Sequence, residues 1–132
     1  MVAAVPSRTP WLRSTPLRVP ALGPGLDQPL IEDRLASVAA LPEVWALVLF
    51  GSRSRGKAHL NSDLDLVVVV RGALTPELER QVWRRIRALL LPALPVDLDL
   101  VIVEAAAAEK LSGSRWHVLG HAYREGVVVY AA

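Results

Sequence analysis

The segment Phe50-Gly51-Ser52, then a spacer of ten residues, then Asp63-Leu64-Asp65-Leu66, links two apolar runs, Val44–Phe50 (VWALVLF) and Leu64–Val70 (LDLVVVV). Short runs this rich in Val and Leu read as strands buried on both faces. Side chains two apart on a strand project to one side, so Asp63 and Asp65 point together while Leu64 and Leu66 enter the core. Two carboxylates on one face repel unless a cation lies between them. A hard divalent ion such as Mg2+ takes oxygen ligands and binds through one or two carboxylates plus substrate phosphates, the arrangement that phosphoryl transfer requires.

The residues before the acids supply the complementary half. Gly51 directly follows a strand, and a glycine there lets backbone approach a phosphate closely while the next N–H groups point at it. Ser52 adds a hydroxyl donor, and Arg53, Arg55 and Lys57 place up to three cations beside a triphosphate. Two rival motifs fail on inspection. Gly51 to Ala58 (GSRSRGKA) resembles a P-loop, but Ala58 stands where the metal-binding Ser/Thr belongs and a strand follows too soon for the long helix such a loop opens. A nucleophile elbow at Ser54 has Ser52 where glycine is required.

Working outward, Ile31, Leu35, Val38 and Ala39 share one helical face that ends before Pro42. Thr75-Pro76-Glu77 starts a second helix in which Leu78, Val82, Ile86 and Leu89 recur until Pro92. Val96 to Val103 is a third strand, Ala105 to Leu111 a short helix, Ser114 the cap of another ending at Gly126, and Val127 to Tyr130 an edge strand. The expected architecture is α/β (α+β): a small mixed sheet carrying the acids on one face, with helices on the other.

The string GSRSRGKAHLNSDLDLVVV resembles the DNA polymerase β-like nucleotidyltransferase superfamily, whose signature is hydrophobic-Gly-Ser, a spacer of this length, then Asp-hydrophobic-Asp-hydrophobic. It is most similar to the stand-alone minimal nucleotidyltransferases, and the similarity runs from about Ile31 to Tyr130. The resemblance implies a third carboxylate on a neighbouring strand. In PVDLDLVIVEAAAAE, Asp99 fits that role and Asp97 competes, because strand alternation puts both on one face. It further implies two Mg2+ ions held by Asp63, Asp65 and Asp99, an NTP substrate such as ATP with its phosphates at Gly51 and Ser52, and release of pyrophosphate on attack at the α-phosphate. Minimal enzymes of this type resemble the catalytic half of a two-gene toxin–antitoxin system whose helical HEPN-domain partner accepts AMP on a tyrosine. Nucleotidylation of a small hydroxylated molecule such as an aminoglycoside, and an inactive partner-binding module, are the alternatives.

Composition sets the outer limits. The 132 residues suit one domain, the absence of cysteine removes thiol ligands and thiol catalysis, and no apolar run reaches the ~18 residues of a membrane span. A cytoplasmic protein is expected. Residues 1–26 hold Arg8, Arg13 and Arg18 and no acid, so the remaining residues carry twelve bases against thirteen acids; the basic pI of 9.5 comes from this tail. Six of the ten prolines fall before Leu30. Residues 1–26 therefore read as a poorly ordered basic arm, a solvated extension or mis-assigned start rather than a nucleic-acid grip, and 27–132 as the nucleotidyltransferase domain. His117 and His121, four apart on an expected helix, lack a third ligand and read as packing or surface residues; His59 reads as a loop residue, Trp45 and Trp83 as core, and Trp116 as a surface flank.

Overall fold

The computed structural model describes residues 14–107 and 126–132. Helix α1 (Gln28–Ala39) begins where the Asp27 carboxylate accepts the Leu30 N–H, with Pro29 in the first turn, and it buries Ile31, Leu35 and Val38. Strand β1 (Val44–Phe50) leads through a 3-10 turn (Ser52–Ser54) and a loop into β2 (Leu64–Val70). Helix α2 (Pro76–Leu90) is capped by the Thr75 hydroxyl and buries Val82, Ile86 and Leu90 at four-residue spacing. Strand β3 (Leu98–Glu104) follows, residues 105–107 are helical, and β4 (Val127–Ala131) is the last strand. The rest of the Ala105 to Leu111 helix, the Ser114-capped helix, Trp116, His117 and His121 lie outside the described residues.

The four strands lie in the order β3-β2-β1-β4. Strand β1 is antiparallel to both β2 and β4, whereas β2 and β3 run parallel, so the sheet is mixed as expected. A bulge between Val44 and Ala46 resets the alternation of β1. Beyond it Leu47 and Leu49 face the helices, joining Leu64, Leu66, Val68 and the buried faces of α1 and α2 in the main core. The opposite face carries a smaller apolar cluster of Ala46, Val48, Val67, Val69 and Ala131, flanked by Phe50, Val101 and Val103. By the period-two rule Asp65 and Asp99 belong to this second face. Strand β3 begins two residues later than its apolar pattern suggests and ends on Glu104, whose carboxylate accepts the Leu74 N–H at 2.9 Å.

Two readings need correction. The expectation of a poorly ordered arm does not hold for residues 14–26, which pack on the domain. Thr15 exchanges two backbone hydrogen bonds with Ala131, Arg18 donates to the Val129 carbonyl, and Leu22 is fully buried in the main core. The arm's prolines forbid a helix, but an extended segment on the outer edge of β4 tolerates them. Trp83 is the second correction: it is 41% exposed on α2, with the Arg87 guanidinium 4.3 Å above its ring, because Val82 and Ile86 already define the buried face. Trp45 is half-buried.

Because the arm covers a strand edge and fills part of the core, Leu22→Ala should destabilise the protein by roughly 2–5 kcal/mol. Deletion of residues 1–26 should lower Tm by about 10 °C or more. Urea and thermal unfolding measure both, and an unchanged Tm on deletion would return the arm to the status of an unpacked tail.

Candidate active site

One end of the sheet gathers the C-terminus of β1 and the N-termini of β2 and β3. The ladder sets Phe50 opposite Asp65 and Asp65 opposite Asp99, so three adjacent strands deliver Gly51, Asp65 and Asp99 to one place. Gly51 adopts φ 75°, ψ −166°, a backbone region that side chains with a Cβ rarely enter, and a Cβ there would overlap the Asp65 carboxylate. Glycine is thus required twice, for the turn and for the close seating of Asp65 against it.

Asp65 is half-buried, and its carboxyl pKa is pushed up to about 6. Burial is the largest cause, followed by the negative charges of Asp99 and Asp63 and a hydrogen bond to the Asp99 carboxyl, which needs one proton between the pair. Asp63 stands just before β2, and both it and Asp99 are exposed. Asp97 is exposed, just before β3 and two residues ahead of Asp99, its carbonyl accepting the Leu64 N–H at 2.9 Å. The structure therefore brings together Gly51, Asp63, Asp65 and Asp99.

The basic residues divide. Arg55 and Lys57 are exposed on the loop, the Arg55 Nε donating to the Gly51 carbonyl at 3.3 Å. Ser52 is half-buried in the turn, its carbonyl accepting from the Arg55 and Lys57 N–H groups. Arg53, read from the sequence as a phosphate-facing cation, is instead fully buried. Its Nε donates to the Ser62 carbonyl (2.8 Å), its Nη1 to Leu22 and Pro24 (both 3.0 Å), and its Nη2 to His59 (3.1 Å) and Leu60 (3.3 Å). A guanidinium has five N–H donors, and five carbonyls use them, leaving none for a phosphate. Burial lowers its pKa below the ordinary arginine value, and the charge of Asp63 acts in the opposite direction. Ser62, not singled out by any motif reading, ties the loop by accepting the His59 N–H on its hydroxyl at 2.9 Å. Backbone carbonyls occur at every residue, so no side-chain pattern could have announced this clamp.

The donor set at the sheet end suits a hard divalent cation: it is all carboxylate oxygen, and its mutual repulsion favours an added positive charge. Among the described residues no three His, Cys, Asp or Glu side chains are gathered closely enough to grip an ion.

A pH dependence follows. Because the folded-state pKa of Asp65 lies above its ordinary 3.8, its protonated form stabilises the fold, fully below about pH 4, and that contribution is lost as pH rises through about 6. In chelator at pH 7.5, Asp65→Asn should melt a few degrees higher than the wild type, with the gap closing below about pH 5. A lower Tm for the variant throughout would show that the carboxylate is not under repulsion.

The family model "Polymerase beta, Nucleotidyltransferase" matches residues 35–131. No functionally curated protein matches the chain. Among solved structures, it is similar to a candidate nucleotidyltransferase from Sulfolobus solfataricus, with 16% identity, 78% of each chain covered and a TM-score of 0.49. A toxin–antitoxin structure with AMP-PNP is 20% identical over 76% of this chain and 73% of that one, with a TM-score of 0.46. A tri-AMPylated Shewanella oneidensis HEPN toxin in complex with MNT antitoxin matches at 20% identity, covering 80% and 73%, with a TM-score of 0.47. With the family model spanning the strand–turn–strand unit, both acid-bearing strands and the final strand, the chain belongs to the polymerase β nucleotidyltransferase family.

Proposed function

We propose that this chain transfers AMP from ATP to a hydroxyl on a partner protein. The observation that carries the reading is the Gly51 turn seated against Asp65 at the sheet end shared with Asp63 and Asp99. Phosphate-binding backbone and acidic side chains are thereby adjacent. Gly51 and Ser52 would hold the β- and γ-phosphates through backbone N–H groups and the Ser52 hydroxyl, while exposed Arg55 and Lys57 offset their charge. Asp63, Asp65 and Asp99 would hold two Mg2+ ions, which supply charge neutralisation along the triphosphate when bound. The acceptor oxygen then attacks the α-phosphorus in line, the bond to pyrophosphate breaks, and Asp99 takes the hydroxyl proton. Positioning and electrostatics, rather than covalent catalysis, carry such a transfer.

The acceptor class comes from the motif, which resembles minimal enzymes whose HEPN-type partner offers a tyrosine. Three cavities lined by described residues, each about 360–370 Å3, lie against α2 near Trp83, between the arm and β4, and beside Glu32 of α1. None of the three is lined by Gly51, Asp63, Asp65 or Asp99. A protruding side chain of a second protein suits such a site better than a small soluble acceptor, which needs an enclosing pocket.

Asp63→Asn and Asp65→Asn should each lower transfer at least ~100-fold with the fold retained. Asp99→Ala should be nearly inactive and Asp97→Ala only mildly impaired, and the reverse ranking would move the third acid two residues earlier. Co-expression with the neighbouring gene product, followed by intact mass with ATP and Mg2+, should show additions of ~329 Da per AMP that disappear with Asp65→Asn. An unmodified partner beside efficient labelling of a small molecule would favour the small-molecule reading, and no turnover at all with intact nucleotide binding would favour an inactive module.

A further inference from the structure

We infer that Arg53 is a positioning residue, a buried clamp that locks the N-terminal arm, the phosphate-side turn and the loop delivering Asp63 into one rigid unit. The inference rests on the reading of the site given above. Asp65 and Asp99 are held by strand pairing, but Asp63 lies just outside β2, so its place depends on what holds its neighbours. On one side the Leu64 N–H is fixed to the Asp97 carbonyl. On the other the Ser62 carbonyl accepts the Arg53 Nε at 2.8 Å, the shortest of the five bonds. Arg53 itself sits in the turn that begins at Gly51, so the same side chain sets the distance between phosphate-side backbone and acid. The remaining donors reach the His59 and Leu60 carbonyls of the loop and the Leu22 and Pro24 carbonyls of the arm. The arm is thus part of the site's framework, although it stands about forty residues before Asp63 in the sequence.

The geometry demands arginine. Five acceptors arrayed around a plane match a guanidinium, whereas a lysine ammonium has three donors at a single point and would leave carbonyls unpaired. Gly23, between the two arm carbonyls, has φ 92°, and a Cβ there would lie 3.0 Å from the Ala58 Cβ and 3.6 Å from the Arg53 Nη1. Gly23→Ala therefore strains the arm side of the clamp without altering Arg53.

The test measures Mn2+ affinity of the full chain by water-proton relaxation, well below the melting temperature, for wild type, Arg53→Lys and Gly23→Ala. A loss of about tenfold is expected for Arg53→Lys, and a smaller loss in the same direction for Gly23→Ala, in the range that outer-shell partners of metal ligands produce. Thermal melts on the same samples separate the two kinds of effect: a purely structural arginine lowers Tm and leaves the affinity of the folded protein unchanged, and that result overturns the inference. Should Arg53→Lys fail to fold, unchanged affinity in Gly23→Ala overturns it equally. A wild type that binds no Mn2+ removes the nucleotidyltransferase site reading itself, and the inference with it.

Discussion

The site depends on the register of three strands. Pairing Phe50 with Asp65 and Asp65 with Asp99 brings the turn after β1 and the acids of β2 and β3 to one end of the sheet. A slip of one residue would turn every side chain of a strand to the opposite face, carrying Asp65 into the main core and Leu64 and Leu66 out of it. The apolar residues therefore enforce the placement of the polar ones. Leu64, Leu66, Val68 and Val70 are fully buried against the helices, and Val67 and Val69 are buried on the other side, so the register that satisfies the hydrophobic pattern is also the one that aligns the carboxylates.

That alignment places like charges together on a face that is otherwise apolar. Asp65 is half-buried beside Asp99 and Asp63, and its raised proton affinity is the electrostatic expression of the crowding. Such a site holds a cation or a proton more readily than it holds full negative charge. Gly51 admits Asp65, and Arg53 braces the surrounding turn and loop from below, so the charged groups are supported by backbone geometry and by a clamp made of carbonyls.

How much of this could be read from residues alone follows from the kind of interaction involved. Strands β1 and β2 and helix α2 were visible because burial imposes a period, and caps such as Thr75 announce themselves by type. Gly51, Asp63 and Asp65 stood out as a turn glycine followed by two carboxylates on one strand face, whereas Asp99 entered through the family resemblance with Asp97 as its competitor; in the fold Asp65 lies against Gly51 and opposite Asp99. The arm was misread for an equally physical reason. Its attachments are backbone bonds from Thr15 and Arg18 and carbonyls offered by Leu22 and Pro24, which no side-chain pattern encodes, and the buried role of Arg53 is hidden the same way. Trp83 shows the converse error, since a large aromatic in an apolar helix suggested core although Val82 and Ile86 already filled the inner stripe.

The central claim is that the acids and the Gly51 turn together hold a metal–nucleotide complex. Anomalous diffraction from crystals grown with Mn2+ and a non-hydrolysable ATP analogue tests it most directly. The account predicts two Mn2+ peaks ~4 Å apart against Asp63, Asp65 and Asp99, with the triphosphate lying along Gly51 and Ser52. Nucleotide bound elsewhere on the molecule, with no metal at these carboxylates, would contradict it.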